Sequence, residues 1–173
     1  MRIWSSLLSS VPIILAAATP GHAEDNPLAP LAPLVGSCWH GQFAGQNRTD
    51  SRCFTLVYDG AHIIDRHRVE SGDTIYEGHT IFSWNAEENR IDYVYFNSLG
   101  GVSMGSLETI ENGFAFPDET YQAPDGSMQT IHSTWTIEQD GWQQNAHEGD
   151  NLIWQVNYHR RPLADYPALS AGE

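Results

Sequence analysis

Residues Tyr76–Phe96 read YEGHTIFSWNAEENRIDYVYF. Two runs rich in aromatic and β-branched residues flank Asn85-Ala86-Glu87-Glu88-Asn89, which is turn chemistry. Such a hairpin is marginal alone, because each strand still has a face to bury and an edge to pair. The rest of the chain offers more of the same. Strand candidates are Cys38–Phe43, Arg52–Tyr58, His62–Val69, Ile75–Trp84, Arg90–Phe96, Val102–Thr109, Phe114–Tyr121, Met128–Ile137, Trp142–His147 and Leu152–His159. Asp59-Gly60, Glu111-Asn112-Gly113, Pro124-Asp125-Gly126 and Asp140-Gly141 punctuate them as hairpin turns, with Ser71-Gly72-Asp73 and Leu99-Gly100-Gly101 close behind.

No stretch of helical length has a 3.6-residue period after Gly36. The pattern predicts an all-β domain, an up-and-down antiparallel barrel of about ten strands. Closure removes the two sticky edges that an open meander would leave. A two-sheet sandwich is the alternative. Gly78 and Gly105 fall inside strands, where they suit sharp bends.

The first 23 residues have the features of an export signal: Arg2, a largely apolar run from Ile3 to Ala18, and Gly21-His22-Ala23 with small residues at the cleavage positions. The alternative, a membrane anchor, is short and interrupted by serines and Pro12. Residues 24–35 form a Pro- and Ala-rich lead-in. Leu28, Leu31 and Leu34 recur there at three-residue spacing, which predicts a short helical turn or polyproline segment against one end of the domain. The barrel is assigned to residues 36–160 and a polar tail to 161–173, expected to drape or fray.

The 173 residues carry 22 acids against 8 basic residues, and the chain has no lysine. Removing the signal removes Arg2, leaving a net charge of 7 − 22 = −15. Nucleic acid and anionic membrane surfaces repel such a chain, so neither is an expected partner. Cys38 and Cys53 are the only cysteines. In a periplasmic or secreted protein they are expected to form a disulfide. A hairpin centred on Asn47 would leave them out of register, so an offset or a longer loop is required; a free thiol pair lacks CxxC spacing.

With the strands placed, the chain resembles the calycin group of lipocalin-like and fatty-acid-binding-protein-like barrels. Within that group it is similar to bacterial lipocalin-like domains of unknown function and to nitrobindin-type haem barrels. Leu34-Val35-Gly36-Ser37-Cys38-Trp39-His40-Gly41 resembles their LxGxWxG opening, and Tyr76-Glu77-Gly78 running into Ile81-Phe82-Ser83-Trp84 is also similar. The resemblance implies a barrel that binds a small molecule, with haem as one candidate. The chain departs from it twice. The Ala44–Ser51 connection is too short for a two-helix lid, and Asp150–Trp154 lacks the histidine that ligates haem in nitrobindin-type barrels.

Candidate ligand-binding residues follow from strand alternation. Arg66 and Arg68 share one face of the third strand with Ile64, while Asp65 and His67 share the other with Ile63 and Val69. Facing inward, the two arginines would anchor a carboxylate or phosphate. Facing outward, they would pair with acids on neighbouring strands. His79, Tyr93, Tyr95, His132 and Trp154 complete the candidate lining, although each also fits a solid core or a strand surface. No HxH or HExxH motif points to a metal, and no GxSxG elbow or paired-carboxylate motif points to catalysis. No cofactor is predicted from the residues themselves. The expected function is binding of a partly apolar, possibly anionic ligand inside the barrel. The alternatives are an isomerase, cyclase or hydrolase using a buried histidine, or a solid-cored interaction module.

Overall fold

The computed structural model describes residues 26–170; the export signal assigned to residues 1–23 lies outside them. Ten strands follow in order: β1 (Cys38–Phe43), β2 (Thr49–Val57), β3 (His62–Ser71), β4 (Thr74–Asn85), β5 (Arg90–Asn97), β6 (Val102–Ile110), β7 (Gly113–Gln122), β8 (Met128–Ile137), β9 (Gly141–Glu148) and β10 (Asn151–Arg161). Each pairs antiparallel with the next, and β1 pairs with β10, so the sheet closes on itself. This is an up-and-down barrel with no free edge among the described residues. The strands begin and end within three residues of the sequence expectation.

Alternation sets which residues enter the barrel. In β3, Ile63, Asp65, His67 and Val69 are buried, while the residues between them are half-exposed. Phe82 of β4, Tyr93 of β5, Trp135 of β8, Trp142 of β9 and Val156 of β10 point into the same space. Bulges in β6, β7 and β10 shift the register, so Leu152 lies exposed while Trp154 turns inward.

One end of the barrel is plugged by the lead-in segment. Ala29–Leu31 forms a single 3-10 turn, as its prolines allow, and Leu28, Leu31 and Leu34 are all buried. Trp39 Nε1 donates to the Leu34 carbonyl at 3.1 Å, tying plug to wall. Burying each leucine contributes on the order of 1.5–3 kcal/mol.

Cys38 and Cys53 are bonded, and they are direct register partners with Cα atoms 4.1 Å apart. The offset expected from the sequence does not arise. β2 starts at Thr49 rather than Arg52, and Gln42 pairs with Thr49, so the hairpin centres on Gly45-Gln46 instead of Asn47. Gly45 adopts φ +69°, which favours glycine at that turn. The tail does not simply fray. Leu169 of helix α1 (Pro167–Ser170), with Tyr166 just before it, covers the disulfide on the outer wall.

Candidate functional site

The plugged half of the barrel is filled with rings, and the other half is hollow. Trp135 sits at the centre of the filled half, 4.8 Å from both Phe116 and Trp142 between ring centres. Above this floor lies a cavity of about 640 Å³. It reaches the turn residues Gln46, Ser71, Thr74 and Leu99, so its mouth is at the end opposite the leucine plug. Its volume is within the range of small-molecule sites.

A polar layer separates floor from cavity. Arg52 of β2 is buried, with its guanidinium 5.3 Å above the Trp135 ring. Its Nη2 meets Asp65 Oδ2 at 2.9 Å, its Nη1 donates to Gln144 Oε1 at 3.2 Å, and its Nε lies 3.7 Å from Asp50 Oδ2. Tyr158 donates to Asp50 Oδ2 at 2.6 Å. Burial would raise the Asp50 carboxyl, but the His67 charge and hydrogen bond, with Arg52 and Tyr158, hold it below the ordinary aspartate range. Asp65 goes the other way: its complete burial outweighs Arg52 and raises it. The two carboxylates flanking one arginine are thus driven apart. Arg52 stays charged, because Asp65 and its other neighbours outweigh its burial.

From this layer a chain of polar groups runs to the cavity. His67 Nδ1 is 3.1 Å from Asp50 Oδ1, and His67 Nε2 is 3.2 Å from the Tyr95 hydroxyl. Tyr95 in turn hydrogen-bonds Tyr76. His67 determines the direction of this chain. A neutral ring donating to Asp50 accepts from Tyr95, which then accepts from Tyr76. A protonated ring donates to both sides, so Tyr95 donates to Tyr76 and the Tyr76 proton is turned into the cavity. Burial raises both phenols above the ordinary tyrosine range, which keeps them protonated at neutral pH.

Gly78 makes room for this chain. It faces inward opposite His67 in the β3–β4 register, and a Cβ there would collide with His67 and would stand 2.6 Å from Tyr95 Cε2. The glycine in the strand therefore marks a close side-chain approach. On the wall of β7, Glu119 accepts from Ser103 at 3.0 Å and from Ser133 at 3.2 Å.

Of the residues expected to line the site, Tyr93, Tyr95 and Trp154 do so. Arg66, Arg68, His79 and His132 alternate onto the outer wall. Arg68 pairs there with Glu70 at 3.1 Å and Glu77 at 3.4 Å. His79 lies 5.6 Å from Phe96 between ring centres in a tilted contact, and partial burial followed by the Arg66 charge lowers it below the ordinary histidine range. His132 Nδ1 lies 2.7 Å from the Pro117 carbonyl. The inward condition on which an arginine anchor depended is not met. The buried cation is Arg52, and acids already balance it.

Sequence reasoning passed over Asp50, Arg52, Asp65 and His67. The signal was available: a carboxylate and a histidine alternate between Ile63 and Val69 on one strand face. Among the described residues no group of three or more His, Cys, Asp or Glu side chains is placed to hold a metal ion. The cavity offers haem iron one histidine, His67, and both its ring nitrogens are already engaged. The residues present do not fit a histidine-ligated haem. No helix among the described residues is long and apolar enough to cross a membrane.

The chain matches no protein-family model, and no curated protein matches it.

Proposed function

We propose that this barrel binds a small, partly aromatic molecule, held in an oxidising compartment such as the periplasm or the extracellular space. The observation that carries the reading is the cavity itself: about 640 Å³, open at one end, with aromatic rings below and hydrogen-bonding groups above. The disulfide supports the compartment. The polar end of the ligand is an uncharged acceptor rather than an anion. Arg52 is already balanced by Asp65 and Asp50, and Asp50, Asp65 and Glu119 add negative charge around the site. The donors that reach the cavity are the Tyr76 and Tyr95 hydroxyls, which an acceptor entering it can meet.

Titration with the neutral fluorophore N-phenyl-1-naphthylamine tests this, alongside native mass spectrometry of protein from its own compartment. Saturable one-to-one fluorescence enhancement, lost when Gln129→Trp narrows the mouth, is expected. No enhancement, together with a native mass equal to that of the chain alone, would overturn the reading.

A further inference from the structure

The Asp50–His67–Tyr95–Tyr76 chain does more than binding requires. A ligand acceptor is served by one donor, yet here a buried carboxylate, an imidazole and two phenols are joined in series and end in the cavity. A carboxylate that orients an imidazole, which in turn meets the reacting group, is the arrangement of acid–base catalysis. What His67 meets is a phenol rather than a serine, and both cysteines are bridged. The arrangement therefore moves protons and has no nucleophile for acyl transfer.

A second proton-handling group stands across the same cavity. Ser103 of β6 is the register partner of Tyr95 of β5, and it donates to Glu119 of β7. Ser103 pairs with Tyr121 of β7, and Glu119 lies two residues along that strand, so two strand spacings and two residues, roughly 12 Å of wall, separate the Tyr95 and Glu119 backbones. Their side chains project into the cavity from those positions. That separation leaves room for one small functional group between a carboxylate and a phenol.

Building on the ligand-binding reading, we propose that the cavity is an acid–base site for a proton shift in an aryl-substituted carbonyl compound. Glu119 is the base and the Tyr76–Tyr95 pair is the acid. The C–H bond beside the carbonyl breaks, and its proton goes to Glu119. Its electron pair becomes the C=C bond of the enol, while the carbonyl π pair moves to oxygen. That oxygen takes the proton of Tyr76, which recovers one from Tyr95, which recovers one from the protonated His67. Return of the proton from Glu119 to carbon and of the enol proton to the relay completes the cycle, with no oxidant or second substrate. Glu119 and Tyr76 are the catalytic residues; His67 and Asp50 position and supply the relay. Facing His67 are Asp50 and Arg52 of β2, Tyr76 of β4 and Tyr95 of β5, with Asp65 alongside on β3.

The probe is 2-tetralone in D₂O. Loss of its C1 proton signals reports C–H proton transfer, and saturation-transfer NMR on the same sample reports binding. The native protein is expected to accelerate exchange about 10²–10⁴-fold over buffer, the usual contribution of a positioned acid–base group. Glu119→Gln should return exchange to the buffer rate while still binding the probe. Tyr76→Phe should lower it at least tenfold. His67→Gln should lower the exchange rate at least tenfold with the probe's affinity unchanged, a split that a merely structural loss would not give. Near-UV circular dichroism of the tryptophans verifies that each variant is folded. Binding without accelerated exchange would overturn the acid–base proposal and leave the ligand-binding reading standing. Exchange unchanged in Glu119→Gln would overturn the assigned base. Absence of binding by the folded native protein would overturn both readings for this class of compound.

Discussion

Arg52→Met removes the guanidinium from the polar layer while keeping a side chain of similar length over Trp135. It leaves Asp65, fully buried, without its 2.9 Å partner, and takes from Asp50 the guanidinium 3.7 Å away, while His67 at 3.1 Å remains. Breaking a buried ion pair from one side costs about 3–5 kcal/mol, because the remaining charge is uncompensated. With a urea dependence near 2 kcal/mol per molar for a domain of this size, the unfolding midpoint should fall by about 2 M at pH 7. The loss should be smaller at pH 5, for a reason of sign. Asp65 holds its proton to higher pH in the folded than in the unfolded state, so stability declines as pH rises from 3.8 toward the folded value. Without Arg52 that folded value rises further and the window widens upward, so at pH 5 the variant relieves the charge by protonating Asp65. Asp50 acts in the opposite direction, since its lowered carboxyl stabilises the fold above 3.8 and loses that effect on acidification. Arg52→Met/Asp65→Leu should recover most of the loss at pH 7. Tryptophan-monitored urea unfolding at both pH values is the assay. A single-variant loss under about 1 kcal/mol, or an equal loss at pH 5 and pH 7, would refute the assignment of Arg52 as the charge that holds this layer together.

Gly78→Ala should displace His67 and Tyr95, destabilise the barrel by about 1–3 kcal/mol and weaken fluorophore binding; unchanged melting and affinity would show that the ring approach is not tight. Arg68→Met should leave affinity unchanged and stability within about 1 kcal/mol, because its pairs with Glu70 and Glu77 are exposed; a tenfold weaker titration would put Arg68 back in contact with the ligand. Reduction of Cys38–Cys53 should cost about 3 kcal/mol, the loop-closure value for a separation of 15 residues, read as a lower melting temperature in dithiothreitol.

The barrel was legible because period-two alternation and turn residues are local signals, and edge closure follows from them. The leucine plug was legible for the same reason, as three buried leucines recur at one spacing. Strand facing was not, because β3 carries polar residues on both faces: Arg66 and Arg68 on one, Asp65 and His67 on the other. Long cationic side chains tolerate the outer wall, whereas short Asp65 and His67 can be satisfied inside by Arg52 and Asp50, which lie on a different strand. Asp50 itself was hidden because the second strand was started at Arg52, leaving the carboxylate in a supposed turn. Pairings between strands fix the chemistry of this layer, and one strand read alone does not contain them.

The pairing of β1 with β10 also has a practical consequence. Cys38, where the barrel strands begin, lies opposite Arg161, where they end, and both are at the plugged rim. A tether or fused reporter attached beyond either point would therefore anchor the molecule by its base. The mouth would face away from the support, so the barrel can be displayed on a surface or a sensor chip without obstructing exchange with solution.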